Sequence, residues 1–156
     1  TRLPLLIHAP GAKGMGRDCA HPVSHIDLYP TLVELCGLPP QPHQGEQYAL
    51  DGHSLVPFLG NPEGANWEGP DVALIGIRDG QDPPHFSVCS GRYRYTLCAS
   101  DEEELYDHVE DPHEWINLAA NPPHADTKRQ LREELRTLLT ASTVPKDYRP
   151  AKLGRC

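Results

Sequence analysis

The sequence lacks the features that would place it at once among membrane or nucleic-acid-binding proteins. No apolar run approaches the roughly 20 residues that a membrane-spanning helix needs. Basic residues are scarce, because 14 Lys and Arg stand against 22 Asp and Glu, which gives a formal net charge of −8. Nucleic acids and anionic membranes are bound by cationic surfaces, so the composition argues against both kinds of partner.

The cysteines do not form the spacing of a metal or redox motif. There are 5, an odd number, and no two of them form a C-x-x-C pair, so a structural zinc ribbon is not indicated. Cys89 and Cys98 flank a predicted hairpin, where we expect two buried free thiols rather than a disulfide. No N-x-[ST] sequon is present, and the residues alone leave the compartment open.

Proline is abundant, and the first residues already resemble a buried strand. The chain has 17 Pro in 156 residues, about twice the usual share. Residues 3–8 carry apolar side chains on both faces, which is typical of a central or parallel strand. Domains seldom open on a core strand without a lead-in, so we expect this chain to be a piece of something longer.

A helix is predicted soon after this strand. Asp27 is the expected N-cap of a helix over residues 28–36, with Gly37 as the residue that ends it. The spacing i, i+4, i+7 predicts one apolar face made of Leu28, Leu32 and Leu35. Residues 39–70 then read as a long connecting loop that contains one short helical turn around residues 54–59.

The second half changes to strand patterns followed by one helix. Strands are predicted at residues 72–77, 85–89, 93–97 and 104–107, and an amphipathic helix at residues 126–141. The predicted fold class is therefore α+β: a small antiparallel four-stranded sheet with a C-terminal helix, plus one strand and one helix of an α/β layer.

The expected organisation has four parts. Residues 1–38 form a strand-helix piece, residues 39–70 a connecting loop, residues 71–142 the sheet-and-helix subdomain, and residues 143–156 an extended tail.

Four short motifs suggest chemistry, but each departs from the pattern that the chemistry requires. Residues 11–16 follow a predicted strand without forming GxGxxG, and Ser54 lacks the second glycine of a nucleophile elbow. The Cys and His residues of 19–25 would need a fourth metal ligand, and residues 101–104 lack the alternating spacing of a calcium loop. We expect loops, solvated histidines and a solvated acidic turn there, with no catalytic and no metal-binding residue.

Several ordered blocks resemble sulfatases of the alkaline phosphatase superfamily, most of all bacterial iduronate-2-sulfatase-like enzymes. One of them is Asp51-Gly52-His53-Ser54-Leu55-Val56-Pro57-Phe58-Leu59, which matches the family segment DG-x-SL-x-P-x-L. The other blocks are residues 1–11, 22–39, 92–95, 103–107 and 111–119. Together the blocks extend from Thr1 to about Ala141, and their order and spacing make the resemblance specific.

The resemblance implies that the catalytic groups lie in another part of a larger enzyme. In the family, the cysteine of C-x-[PA]-x-R becomes formylglycine, and a divalent cation, usually calcium, neutralises the sulfate oxygens. None of these motifs occurs in this chain, and the family's last active-site lysine would lie just before Thr1. The resemblance therefore implies no cofactor in this chain, with calcium in a missing N-terminal catalytic domain. We expect the chain to be inert alone.

Candidate binding residues follow from the same resemblance. His85, where a predicted strand begins, and His8, where another ends, are the two candidates for contacts with a sulfated carbohydrate. Trp115 is expected to anchor the turn of residues 111–119 rather than to stack on a sugar. Expected partners are the missing catalytic domain or a second copy bound through the strand-helix piece.

Two other functions stay open at this point. One is a stand-alone interaction or oligomerisation module that reuses the sulfatase subdomain. The other is a related phosphatase or phosphonate hydrolase of the same superfamily. Whether the chain belongs to an active enzyme is therefore undecided from the sequence, and a bacterial sulfatase parent would imply a periplasmic or secreted location.

Overall fold

The structure, a computed structural model, describes residues 3–39, 50–78 and 84–141. They belong to two compact units, residues 1–70 and residues 71–156. Part of the predicted connecting loop and the predicted tail at 143–156 lie outside the described residues. Across the described ranges, no helix has the length and apolar character needed to cross a membrane.

The first unit contains two short helices. A 3-10 turn, His25–Asp27, runs directly into α1, Leu28–Leu35, and α2 covers Val56–Gly60. Helix α1 ends as predicted, because Gly37 has a φ of 60° and its N–H bonds to the Glu34 carbonyl at 3.2 Å. The Leu38 N–H reaches the Val33 carbonyl at 2.9 Å, which completes a Schellman motif.

One prediction for this unit is refined and another needs correction. Asp27 directly precedes α1, as predicted, but its side chain makes no capping bond to that helix, because the helical conformation already begins with the 3-10 turn after Ser24. Residues 3–8 form no strand. A strand exists only as part of a hydrogen-bonded ladder, and the described residues of this unit include no strand to pair with it.

The second unit holds the predicted antiparallel sheet. Its strands are β1, Ala73–Ile77; β2, His85–Cys89; β3, Tyr93–Leu97; and β4, Glu103–Asp107. They lie side by side in chain order, as a four-stranded meander. The period-2 pattern is confirmed by alternating burial in β3 and β4, which places one face of each strand in the core.

One long helix covers that face. Helix α3, Ala125–Ala141, follows a 3-10 turn at Pro122–His124. Its buried residues recur every fourth position and are Leu131, Leu135 and Leu139. They pack in one cluster with the buried sheet residues, which are Val72, Phe86, Val88, Tyr95, Leu97 and Leu105. The prediction of a sheet closed by a C-terminal helix is therefore confirmed.

The two cysteines near the β2–β3 hairpin do not face each other. The register pairs Cys89 with Arg94, and Cys98 lies beyond the end of β3. Neither Cys89 nor Cys98 forms a disulfide, as predicted, while both side chains are half-buried rather than fully buried.

Glu103 joins the sheet to α3. It accepts the hydrogen bond of the Tyr95 hydroxyl at 2.8 Å and faces Lys128 at 3.4 Å and Arg132 at 3.5 Å. Burial raises the pKa of Glu103, but these partners outweigh it and lower the pKa below its usual value. The acidic run at 101–104 was expected to be a solvated turn, whereas Glu103 starts β4 and is half-buried.

A second charged contact fixes the ends of β3 and β4. Asp107 is 2% exposed, and both its oxygens accept hydrogen bonds from the Arg92 guanidinium, at 2.6 to 3.0 Å. This bond and the backbone N–H of Val109 hold the pKa of Asp107 at about 2, although its desolvation opposes them. A carboxylate buried at this depth requires such partners.

The low pKa of Asp107 predicts an acid-dependent loss of stability. The group ordinarily titrates at 3.8 and here at about 2, so its contribution is present above pH 4 and is lost as the pH falls towards 2. Because Arg92 is half-exposed, we expect a loss of roughly 1–2 kcal/mol from this group, measured by urea unfolding against pH. Asp107→Asn should remove that part of the pH slope.

The exposed pair of Arg129 with Asp126 supplies the control. Asp126→Asn should leave the acid slope of the wild-type chain intact, because surface pairs contribute little. An unchanged slope in Asp107→Asn would show that the Arg92 contact does not carry the effect.

Candidate functional site

An apolar ridge runs along α1 on the surface of the first unit. Its members recur every third residue and are Ile26, Tyr29, Leu32 and Leu35, which are 41–58% exposed. Residues three apart are neighbours on a helix surface, so these side chains form one continuous row. Leu32 and Leu35 belong to the apolar face predicted for this helix, and the structure leaves both side chains at the surface of the unit.

The opposite side of α1 is buried because polar groups there bind another segment. The Asp27 carboxylate, 5% exposed, accepts the backbone N–H of Ser24 at 2.7 Å through one oxygen and that of His53 at 2.9 Å through the other. The first bond closes the turn that starts the helix. The second fixes residues 51–55 against it.

Thr31 continues this attachment one turn further along. Its hydroxyl donates to the Asp27 carbonyl at 2.5 Å and accepts the Leu55 backbone N–H at 2.8 Å. Both Thr31 and Leu55 are almost fully buried. The side of α1 that packs inside the unit is thus chosen by hydrogen bonds to the DG-x-SL segment, and the ridge remains on the surface.

An aromatic cluster extends the packing beyond α2. The centroid of the Phe58 ring lies 4.9 Å from the centroid of the His21 ring and 4.9 Å from that of the Trp67 ring. The centroids of the His53 and Trp67 rings are 5.7 Å apart. The Trp67 indole also donates to the Pro70 carbonyl at 3.2 Å. His21 was expected to be solvated, but it is half-buried in this cluster and contributes to packing.

His8 lies in the irregular segment of residues 3–9 and is exposed. Leu3, Leu5 and Leu6 in the same segment are 62%, 45% and 93% exposed, so further apolar surface surrounds it along the chain. The structure therefore places His8 at the surface of the first unit, without the sheet edge that was expected to position it.

His85 lies in the second unit and is the first residue of β2, opposite Ile77 of β1. The ring is half-buried, and its Nδ1 accepts the backbone N–H of Ala99 at 3.3 Å. The two candidate histidines thus belong to different units, and each is described only within its own unit.

Trp115 does not anchor its turn. It is 81% exposed and stacks on His113, with ring centroids 5.1 Å apart. The anchor is Asn117, whose side-chain oxygen accepts the backbone N–H groups of Leu105 at 3.1 Å and Ala119 at 2.9 Å. A short amide side chain can reach the edge of β4, whereas the larger indole remains at the surface.

The described residues offer no metal centre. Nowhere in the described ranges do three or more His, Cys, Asp or Glu side chains form a group that could hold a metal ion. The calcium that the resemblance implies is therefore not matched by a donor set in the described part of this chain.

The fold and the family comparison together identify the class of protein. A four-stranded antiparallel sheet with a covering helix, preceded by a helical unit, is the α+β arrangement expected of a sulfatase C-terminal portion. The model of the family "N-sulphoglucosamine sulphohydrolase, C-terminal" matches residues 1–141. The chain belongs to this family and is a C-terminal sulfatase portion of the alkaline phosphatase superfamily.

Relatives and solved structures agree with this assignment. The chain is 34% identical to the choline-sulfatase of Rhizobium meliloti over 78% of its own length and 22% of that protein. It is 30% identical to the Delta 4,5-hexuronate-2-O-sulfatase of Bacteroides thetaiotaomicron over 98% of its length and 31% of that protein. The chain thus spans less than a third of either relative.

Among solved structures, a 2-O GAG sulfatase superposes with a TM-score of 0.66 at 28% identity, covering 84% of this chain and 28% of that one. The phosphonate monoester hydrolase of Silicibacter pomeroyi superposes with a TM-score of 0.63 at 26% identity, covering 88% of this chain and 29% of that one. The same C-terminal fold therefore occurs in enzymes named for two different reactions.

The Thr31 contact predicts a specific loss of stability in the first unit. Thr31→Val keeps the side-chain shape but leaves the buried Leu55 N–H without its acceptor, so we expect a loss of about 1–3 kcal/mol. Unfolding is followed by Trp67 fluorescence in a Trp115→Phe background, which leaves one tryptophan of the original 2.

Thr31→Ser serves as the matched control because it keeps the hydroxyl and loses only a methyl group. It should cost less than Thr31→Val. Equal losses in the two variants would assign the effect to packing and would contradict the hydrogen-bond account.

Proposed function

We propose that this chain is the C-terminal part of a sulfate-ester hydrolase that acts on sulfated sugars, and that it contributes structure and one wall of the substrate pocket. The single observation that carries the proposal is the family match over residues 1–141. The formylglycine motif C-x-[PA]-x-R is absent from the sequence, so the nucleophile must come from the rest of that enzyme. Calcium would likewise be bound outside this chain.

The apolar ridge supports the proposal by offering a surface for that catalytic part. A helix that exposes Tyr29, Leu32 and Leu35 in one row leaves apolar area in water, which marks an interaction surface. The exposed leucines of residues 3–6 add to it within the same unit. The proposed occupant is the remainder of the sulfatase, because the chain spans only 22% and 31% of two sulfatase relatives.

His85 and His8 are the proposed contacts with the substrate. Each carries an imidazole, which can hydrogen-bond a hydroxyl, carboxylate or sulfate oxygen. His85 is the stronger candidate, because the strand and the hydrogen bond from Ala99 hold its ring in one place.

A phosphonate monoester hydrolase is the second candidate. The superposition on the Silicibacter pomeroyi enzyme favours it specifically, with a TM-score close to that of the 2-O GAG sulfatase. The two candidates differ in the bond that is hydrolysed, which is in a sulfate ester in one case and in a phosphonate monoester in the other. In both proposals the nucleophile comes from outside this chain. Hydrolysis of an aryl sulfate compared with an aryl phosphonate by the intact enzyme separates them.

A charged substitution in the apolar ridge tests whether this surface binds the rest of the sulfatase. Leu32→Lys should change the free energy of unfolding of the isolated chain by less than about 0.5 kcal/mol, because the side chain is 58% exposed. In the intact sulfatase, the same substitution should cost at least about 2 kcal/mol, because it buries an unpaired charge at the interface. Urea unfolding of both proteins measures the difference.

Val109→Lys is the control, since Val109 is 63% exposed and lies outside the ridge. It should be neutral in both proteins. A Leu32→Lys variant that is neutral in the intact sulfatase would contradict docking through the ridge. A stable dimer of the isolated chain that Leu32→Lys dissociates in sedimentation would instead favour the stand-alone oligomerisation module.

The proposed substrate contact of His85 is tested by steady-state kinetics. In the intact enzyme, His85→Ala should raise KM for a sulfated sugar about five- to tenfold while kcat changes by less than about twofold. His25→Ala, an exposed histidine of the 3-10 turn, is the control and should leave both constants unchanged. An unchanged KM in His85→Ala would contradict the contact.

A further inference from the structure

The loop between β3 and β4 reaches back to the ring of His85. We infer that the backbone N–H of Ala99 fixes the neutral His85 ring with its proton on Nε2, which makes the ring a hydrogen-bond donor at that atom. The Ala99 nitrogen lies 3.3 Å from Nδ1. A backbone amide can only donate, so Nδ1 must accept with its lone pair, and the neutral ring then carries its proton on Nε2.

The loop is built so that this N–H is available. The Asp101 N–H bonds to the Cys98 carbonyl at 2.9 Å, and the Cys98 N–H bonds to the Glu102 carbonyl at 2.9 Å. Asp101 has a φ of 66°, as expected for a turn followed by a left-handed residue in a three-residue hairpin. In such a turn, the N–H of the second residue, Ala99, is not used by the turn itself.

The sheet register brings the two groups together. Phe86 of β2 pairs with Leu97 of β3, so the residue before Phe86 lies beside the residues that follow Leu97. His85 is the residue before Phe86, and Ala99 is one of the residues that follow Leu97. The tautomer is thus set by strand pairing and turn geometry, which hold whether or not substrate is present.

The consequence for recognition rests on the proposed function, in which His85 contacts the substrate. A neutral imidazole that donates through Nε2 selects acceptor oxygens, such as those of a sulfate, carboxylate or hydroxyl group of a sugar. An ammonium group has no acceptor and gains nothing from this atom. Ala99 is therefore a positioning residue that acts through His85.

Nitrogen NMR of the full 156-residue chain tests the inference without substrate. At alkaline pH, the His85 ring should show an unprotonated Nδ1 and a protonated Nε2. A scalar coupling between the Ala99 amide nitrogen and Nδ1 should also be present. A proton on Nδ1 in the wild-type chain would overturn the inference.

Ala99→Pro is the decisive variant. Proline is favoured at the second position of this turn and replaces the N–H with a ring methylene that cannot donate, so the hairpin should persist while the coupling is lost and both tautomers are populated. Ala99→Ser keeps the N–H and should retain the wild-type spectrum. An unchanged tautomer in a correctly folded Ala99→Pro chain would contradict the role of Ala99.

The two proposals fail in different experiments. If His85→Ala leaves KM unchanged in the intact enzyme while the coupling to Ala99 is observed, the substrate contact is wrong and the tautomer assignment stands. The coupling is measured on the unmodified chain, so the inference can be tested even if Ala99→Pro does not fold.

Discussion

The buried carboxylate of Asp27 determines which side of α1 faces the interior of the first unit. Together with the Thr31 hydroxyl, it accepts the backbone N–H groups of His53 and Leu55 and thereby fixes the DG-x-SL segment to the helix. An unpaired carboxylate at this depth would be costly, so these bonds are a requirement of the fold. Because the polar side of α1 is used internally, its apolar ridge remains on the surface of the unit.

The exposed apolar ridge supports the proposal that the chain is one part of a larger hydrolase. Leu32 and Leu35 form part of a continuous exposed apolar row on α1, and such a patch marks an interaction surface. In the second unit, the sheet and α3 enclose an apolar core, and the charged contacts at Glu103 and Asp107 lie within the unit. The first unit thus presents the surface that the proposed partner would cover.

The sequence predicts the second unit well because its elements depend on local periodicity. Alternation in residues 93–97 and the leucine spacing in α3 each reflect burial within the same unit, and both are confirmed. For α1, the same reasoning identifies an apolar side, but periodicity does not show whether the covering surface belongs to the same unit. It also missed the Asp27 contact, since His53 lies 26 residues away and only the folded chain brings its N–H to the carboxylate.

For the candidate histidines, too, the sequence does not reveal the contacts that only the folded chain makes. The resemblance pointed to His85, but the Ala99 N–H that orients its ring is a backbone group that no sequence motif records. For His8, the expected strand was inferred from apolar residues alone, and a strand also needs a neighbour to pair with. Trp115 was expected inside its turn because large aromatic residues are usually buried, whereas the smaller Asn117 makes the required hydrogen bonds.

We propose that this chain supplies structure and substrate contacts while the reacting groups lie elsewhere in the enzyme. Hydrolysis of an aryl sulfate by the purified chain in the presence of calcium tests this proposal. We expect no turnover above the uncatalysed rate, because the sequence contains no formylglycine motif to supply the nucleophile. Turnover by the isolated chain would contradict the claim.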